Sequence, residues 1–151
     1  MGNIKMNVMK RLSVMLIGLA AFAATLYADD KPISFDKLPS AAKVYVQTNF
    51  PEEKVSFVAK EDDAVHHGYM VILMNGIKME FSRAGALSEI SSSAGIPESV
   101  IPVSIREYVQ NHYPGAGYLE FEIGKRTYDV KLTNRMELKF NNSFHLVAVD
   151  D

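Results

Sequence analysis

The sequence contains no cysteine, which excludes disulfide bonds, thiolate nucleophiles and thiolate metal sites together. It also excludes the lipid-modified cysteine that anchors a bacterial lipoprotein. The motifs G-x-S-x-G and H-E-x-x-H are missing, and no glycine-rich phosphate loop is present. We therefore expect no catalytic residue, no cofactor and no enzymatic activity.

A second absence concerns basic residues, since no cluster of lysine and arginine occurs after residue 28. Without residues 1–28 the chain has 13 Lys and Arg against 18 Asp and Glu, a formal charge of −5. Nucleic acids and anionic lipids are bound through clustered basic side chains. We therefore expect no nucleic acid among the partners.

Residues 1–28 are typical of a secretory signal peptide. Lys10 and Arg11 lie in a basic stretch before the apolar run 12–26, and cleavage is predicted after Ala28. The alternative is an uncleaved anchor, but the run is shorter than the about 20 residues that a spanning helix needs. We expect a periplasmic or secreted protein with no stable membrane insertion after signal removal.

The rest of the chain contains one sequence pattern twice. Tyr69–Phe81 reads YMVILMNGIKMEF, and Tyr128–Phe140 reads YDVKLTNRMELKF. Asn75-Gly76 is a strong signal for a two-stranded hairpin. Two upstream segments, 38–51 and 101–114, also match at a shift of 63 residues. Such repetition predicts a duplicated domain.

The upstream segments have the spacing of an amphipathic helix. Apolar residues three and four positions apart form one stripe in the first copy, and these are Leu38, Ala42, Tyr45, Val46 and Phe50. Pro51 ends the pattern, because the residue before a proline avoids the helical conformation. The spacing predicts a helix over about 39–49 and an equivalent one in the second copy.

Four predicted strands follow each helix. The first strand of copy one contains the alternating residues Val55, Phe57 and Ala59, the hairpin supplies the next two, and a closing strand completes the unit. The predicted fold is α+β, with two tandem repeats of one helix followed by a four-stranded antiparallel sheet. The sheets are expected to adjoin into one long curved sheet, with helices on one side and solvent on the other.

The predicted boundaries follow from this pattern. Residues 1–28 form the signal peptide, 29–92 the first repeat and 93–151 the second. Ser91–Pro97, rich in serine, glycine and proline, is interpreted as the linker between the repeats. Its serine run is therefore not interpreted as a nucleophile.

Charged side chains on the strands offer one route to catalysis. The glutamates at predicted strand positions are Glu80, Glu89, Glu120, Glu122 and Glu137. Paired carboxylates support glycoside hydrolysis. Outward charges on antiparallel strands more often form a solvated face, and that is how we interpret them.

His66-His67 is the only adjacent histidine pair, and it lies in the charged loop Glu61–Gly68. In a strand the two rings would point to opposite faces and could not bind one metal ion. In a loop they could do so with neighbouring carboxylates. We favour a solvated loop and expect no metal site.

The two copies differ most at the outward positions of the central strand. Copy two has Asp129, Lys131 and Thr133 there, whereas copy one has Met70, Ile72 and Met74. Contiguous apolar patches mark interaction sites, and methionine-rich surfaces adapt to partners. These three residues are the predicted binding site. The alternative, equally weighted, is that the signal region, the lead-in 33–35 or the other repeat covers them.

The repeated motifs resemble the PepSY-like family of small exported bacterial proteins, which are described as beta-lactamase-inhibitor-like. In the first copy the residues that carry this resemblance are Leu38-Pro39, Tyr45-Val46-Gln47, Phe50-Pro51, Tyr69, Val71 and Asn75-Gly76. In the second copy they are Ile101-Pro102, Tyr108-Val109-Gln110, Tyr113-Pro114, Tyr128, Val130 and Asn134. The resemblance implies a tandem helix-plus-four-strand fold, an exported location, no known enzymatic activity and binding to another protein.

Together these features predict an exported, non-enzymatic binding protein. Its open sheet face would engage a protein or peptide, and inhibition of an exported hydrolase is one form that this would take. The alternative function is a small-ligand or cell-envelope sensor domain that uses the same face.

Overall fold

The computed structural model describes residues 30–62 and 67–151. The predicted signal peptide, residues 1–28, and His66 lie outside the described residues. Within the described ranges, the helices are α1 (Ser40–Asn49) and α2 (Val103–His112), and 3-10 turns span Phe35–Lys37 and Glu98–Val100.

Nine strands make one sheet in which the spatial order is the chain order. The strands are β1 (Lys31–Pro32), β2 (Val55–Asp62), β3 (His67–Leu73), β4 (Lys78–Ser82), β5 (Leu87–Ile96), β6 (Tyr118–Ile123), β7 (Thr127–Leu132), β8 (Glu137–Asn141) and β9 (Leu146–Asp150). Each of the pairs from β2 to β9 is antiparallel. The α+β class is confirmed, and the strands of the two repeats adjoin in one sheet as expected. A separate four-stranded sheet for each repeat is not observed among the described residues.

The predicted linker Ser91–Pro97 is wrong, because the chain stays in β5 as far as Ile96. Ile90 pairs with Phe121, and Ile96 pairs with Tyr118 after an irregularity in register. The segment is therefore held along β6 by strand pairing, and serine is compatible with a strand that has one solvated face. The predicted boundary between residues 92 and 93 falls inside this strand.

Both helices begin directly after a proline. Pro39 precedes α1 in extended conformation, and its carbonyl accepts a hydrogen bond from the Lys43 N–H at 3.1 Å. Proline suits this position because the first N–H groups of a helix have no partner within it. The Phe50 N–H donates to the Val46 carbonyl at 2.9 Å, and the helix ends before Pro51. The predicted helix over 39–49 is confirmed, and α2 repeats the arrangement after Pro102.

The helices pack on one face of the sheet, which we call the inner face. Tyr45 of α1 meets Phe81 of β4 edge to face with ring centroids 5.8 Å apart, and Tyr108 of α2 meets Phe140 of β8 in the same way at 5.4 Å. These pairs are equivalent in the two repeats. A single buried cluster joins them across the inner face, so the repeats share one core.

A β-bulge changes the alternation predicted for β2. The register shifts between Val55 and Phe57, after which Val58 pairs with Val71 and enters the core. Phe57 and Ala59 lie on the opposite face. The prediction that Val55, Phe57 and Ala59 form one alternating set is therefore wrong beyond Val55, because the extra residue reverses the face of every residue that follows it.

The hairpin predicted at Asn75-Gly76 is present. Gly76 has a φ of 88°, and the Asn75 side-chain oxygen accepts a hydrogen bond from the Ile77 N–H at 3.1 Å. The second repeat makes the same turn with Asn134, but Arg135 occupies the glycine position with a φ of 74°. The asparagine side chain thus makes the same hydrogen bond in the turns of both copies. Only the first copy has glycine, the residue best suited to a positive φ, at the next position.

Candidate functional site

The candidate site is the outer face of the sheet, opposite the helices. Directly paired residues of antiparallel strands point to the same face, so the register defines two rows that cross it. The first row runs through Ala59, Met70, Glu80, Glu89, Glu122, Asp129, Lys139 and Ala148. The second row runs through Phe57, Ile72, Lys78, Ser91, Glu120, Lys131, Glu137 and Asp150.

These rows are acidic. They contain seven carboxylates and three lysines, and each lysine pairs with one carboxylate. The pairs are Lys78 with Glu80, Lys131 with Glu137 at 2.8 Å, and Lys139 with Asp129 at 3.2 Å. The remaining carboxylates, which have no ion pair with a described residue, are Glu89, Glu120, Glu122 and Asp150.

Four carboxylates follow one another across four adjacent strands. We call Glu80, Glu89, Glu122 and Asp129 the carboxylate row. Like charges directly opposite each other on antiparallel strands are destabilising. The row crosses the junction of β5 and β6, where the two repeats meet.

Glu89 occupies the centre of the row. It lies opposite Glu80 on one side and Glu122 on the other. Burial raises the pKa of the Glu89 carboxyl, and the charges of Glu80 and Glu120 raise it further. The nearby Lys78 charge and a hydrogen bond donated by the Ser91 hydroxyl at 3.2 Å act in the opposite direction. Burial and the neighbouring carboxylates thus disfavour the ionised form of Glu89.

Glu120, in the second row, is in a similar position. Burial raises the pKa of its carboxyl, the Lys131 charge lowers it, and the charges of Glu122 and Glu137 raise it. A depression of about 340 Å³ opens beside it over strands β6 to β9, with a mostly charged lining. This part of the outer face presents carboxylates towards solvent in a shallow concave surface.

The predicted binding residues Met70, Ile72 and Met74 lie at the β2 side of this face. Met70 pairs with Glu80 and is 3% exposed, whereas Ile72 is half-buried beside Lys78. Met74 follows β3 in the turn and is 69% exposed. Of the three residues, only Met74 and part of Ile72 are accessible at the surface, and the binding role of all three remains a prediction.

The lead-in segment does not pack over these residues. Ile33 and Phe35 pack against the inner-face core, and the Ile33 N–H donates to the Val58 carbonyl at 3.0 Å. The predicted intramolecular cover by residues 33–35 is therefore wrong, because this segment follows the edge of β2 on the helix side.

The described histidine of the predicted loop lies within hydrogen-bonding distance of a carboxylate. His67 Nδ1 lies 3.0 Å from Asp62 Oδ1, and Arg83 lies 3.4 Å from the same oxygen. The hydrogen bond with His67 lowers the pKa of the Asp62 carboxyl, assisted by the charges of Lys60 and Arg83. Within residues 30–62 and 67–151, no group of three or more acidic or histidine side chains has an arrangement that could hold a metal ion.

Sequence reasoning identified the glutamates but not the row that they form. Their alignment depends on the pairing of β4 with β5, of β6 with β7 and of β5 with β6. The last of these was hidden because Ser91–Pro97 was interpreted as a linker. The available signal was the presence of acidic residues at alternate positions in β6, Glu120 and Glu122, on a strand with an apolar opposite face.

Neither described helix is long and apolar enough to cross a membrane.

Three solved structures have the same fold. A "putative calcium-regulated periplasmic protein" from Bacteroides thetaiotaomicron is 38% identical, with a TM-score of 0.78 over 82% of this chain and 98% of that one. A "putative periplasmic protein" of the DUF2874 family from Bacteroides vulgatus is 37% identical, with a TM-score of 0.76 over 83% of this chain and 99% of that one. A second one from that organism, of unknown function, is 28% identical, with a TM-score of 0.74 over 81% and 99%.

No match was found among proteins of curated function. The family described as "Putative beta-lactamase-inhibitor-like, PepSY-like" matches residues 26–66 and 67–148. These segments cover most of the chain, including both helices and the strands from β2 to β8, and extend into β9. The chain belongs to this PepSY-like, beta-lactamase-inhibitor-like family.

Proposed function

We propose that this protein is an exported, non-enzymatic binding protein whose outer sheet face engages a cationic segment of another protein or peptide. The observation that carries the proposal is the carboxylate row, with Glu89 opposite Glu122 at its centre. Export is supported by the signal-peptide pattern of residues 1–28 and by the periplasmic description of three relatives.

The opposed carboxylates of the outer face lower the stability of the fold. A fold gains nothing from placing ionised carboxylates opposite one another, and such pairs reduce stability. Four carboxylates of the outer face have no lysine or arginine partner among the described residues. A partner that brings basic side chains would remove this repulsion on binding. Charge complementarity of this kind also accelerates association and selects the partner.

Accessible apolar residues lie beside the carboxylates. Met74 is exposed and Ile72 is partly exposed next to Lys78, at the end of the face that lies beyond Glu80. A partner segment that carries an apolar side chain beside its basic residues would contact both regions. Protein interfaces combine an apolar centre with polar surroundings in this way.

The family description supports one class of partner. The inhibitor-like description supports an exported hydrolase as the bound protein. Binding over an open sheet face needs no catalytic group in this chain. Inhibition would result if the bound segment of the hydrolase bordered its active site.

A second candidate, a cell-envelope sensor of a divalent cation, is favoured by one specific observation. A relative 38% identical to this chain is described as calcium-regulated, and carboxylate oxygens are the ligands that calcium prefers. The described residues contain no arrangement of three ligands suited to a metal ion, so we place this candidate second.

The test is a binding titration with the exported form of the full chain. The probe is an arginine-rich peptide with one leucine, and the reference probe has glutamate in place of each arginine. We expect the arginine peptide to bind, and the double change Glu89→Gln with Glu122→Gln to weaken it about tenfold. The matched control is Glu107→Gln on the exposed side of α2. Equal affinity of the double variant and the control would contradict the proposal.

The same variants separate the two candidates. Calcium chloride without peptide should leave the melting temperature unchanged if the face binds peptides. A rise that the double variant abolishes would support the cation sensor in its place.

A further inference from the structure

We propose that β9 forms an edge-to-edge antiparallel pair with β9 of a second copy of this chain. Among residues 30–62 and 67–151, β9 pairs with β8 alone, so the backbone groups along its other edge have no strand partner there. The proposal concerns the edge of the sheet and is independent of the function proposed for its outer face.

The two outermost strands differ in how they are protected. At one end of the sheet β1 has two residues and includes Pro32, and both short length and proline discourage pairing with another chain. At the other end β9 has five residues, Leu146–Asp150, without proline or lysine. An unprotected edge strand is a template for pairing with another strand.

The side chains of β9 are apolar and exposed. Val147 is 55% exposed and Val149 is 42% exposed. Val147 lies at a register shift between two pairs, Ala148 with Lys139 and Leu146 with Phe140, so it has no direct partner on β8. An adjacent strand would remove both valines from water.

The ends of the strand meet as polar pairs when two copies run antiparallel. Pairing that is symmetric about Ala148 places each Val147 opposite the other copy's Val149. The same register places the exposed His145 opposite the exposed Asp151 of the second copy. Parallel pairing would instead bring the acidic ends of both strands together. The acidic ends and the apolar contacts of β9 thus favour antiparallel over parallel pairing with a second copy.

The first test uses the absence of cysteine in this sequence. Ala148→Cys places one thiol on the symmetry axis, where paired Cα atoms about 4.5–5.5 Å apart suit a disulfide. We expect rapid formation of a covalent dimer under mild oxidation of the exported full chain. Val44→Cys, at a valine of α1 that is 60% exposed, is the matched control. Equal rates of cross-linking for the two variants would overturn the proposal.

The second test measures mass in solution by light scattering. We expect a dimer for the unchanged protein, a monomer for Val147→Lys, and a dimer for the control Val103→Lys on α2, whose valine is 57% exposed. Circular dichroism confirms that each variant is folded. A monomer for the unchanged protein at every concentration, or a dimer for folded Val147→Lys, would overturn the proposal.

A charge exchange tests the register. His145→Glu should raise the dissociation constant of the dimer roughly tenfold, because it faces Asp151 of the second copy. Adding Asp151→Lys should restore the original value. Failure of the second change to restore association would refute the register symmetric about Ala148.

Discussion

Glu89 on β5 lies directly opposite Glu122 on β6, at the junction where the strands of the two repeats pair. Glu80 lies opposite Glu89 on its other side. The core beneath this junction is continuous, since Ile90 pairs with Phe121 on the inner face. The protein therefore places opposed carboxylates over the strand pairing that unites its repeats.

Glu89→Gln should stabilise the protein near neutral pH. The change removes an ionised group from between two carboxylates while keeping its shape and its ability to accept a hydrogen bond from Ser91. We expect an increase of up to ~1 kcal/mol in the free energy of unfolding, the range of cross-strand pairs. Urea denaturation measures it, with Glu107→Gln as the control. A loss of stability would contradict the assignment of repulsion to this pair.

The pH dependence of that gain has a defined sign. The pKa of the Glu89 carboxyl is raised in the folded state, so the folded protein favours its protonated form. Its contribution to stability is full below the ordinary glutamate pKa, about 4.3, and is lost as pH rises through the raised value. The advantage of Glu89→Gln should therefore shrink towards zero as the pH falls below about 4.3. An advantage that is independent of pH would mean that charge is not its cause.

Exchanging arginine and glycine in the two hairpin turns should change the free energy of unfolding in opposite directions. Arg135 has a φ of 74°, a conformation that costs a residue with a side chain roughly 1–2 kcal/mol relative to glycine. Arg135→Gly should raise the free energy of unfolding by roughly 0.5–1 kcal/mol, because glycine also loses more chain entropy on folding.

Gly76→Arg in the first repeat is the converse change. Gly76 has a φ of 88° and no atom within 4 Å of the position that a side chain would take, so only the backbone conformation is at issue. It should destabilise by a similar amount, measured by urea denaturation. Stabilisation by both changes, or by neither, would contradict this account.

Ionisation of Tyr45 should contribute to the loss of stability at alkaline pH. Burial raises the pKa of its hydroxyl from 10 to about 12, since the ring lies under α1 against Phe81. The unfolded chain ionises first, so this contribution to stability is full below pH 10 and is lost as the pH rises towards 12. Tyr45→Phe should lessen the fall in melting temperature over this range.

The control for Tyr45 comes from the second repeat. Tyr108→Phe preserves the equivalent edge-to-face contact with Phe140 and leaves Tyr45 in place. It should retain the contribution of Tyr45 to alkaline unfolding. An alkaline profile unchanged by Tyr45→Phe would place the cause elsewhere, with Tyr118, whose pKa is also raised by burial, as the next residue to change.

The fold was largely predictable because the same sequence pattern occurs twice in the chain. The helix between Pro39 and Pro51 and the turn at Asn75-Gly76 depend on residues close in sequence. The register was not predictable, because a bulge inserts a single residue without a strong sequence signal. Phe57 therefore lies on the face opposite to the one expected, and Val58 takes its place in the core.

The candidate site was predictable only in part. The asymmetry between the copies located Met70 and Ile72 on the outer side of β3 and Met74 directly after it, but their exposure could not be inferred from it. Met70 is buried, whereas Met74 is exposed. Opposition of Glu89 and Glu122 requires pairing between residues 33 positions apart across a segment that resembles a linker. Long-range pairing of this kind is what local patterns do not encode.

The most direct test of the proposed binding face is an amide chemical-shift titration of the isotope-labelled exported protein with the arginine-rich peptide. We predict saturable shifts at residues 80, 89, 120 and 122 and little change along α1 and α2. Those shifts should disappear in the Glu89→Gln, Glu122→Gln double variant. Shifts centred on the helices, or an unchanged response of the double variant, would contradict the account.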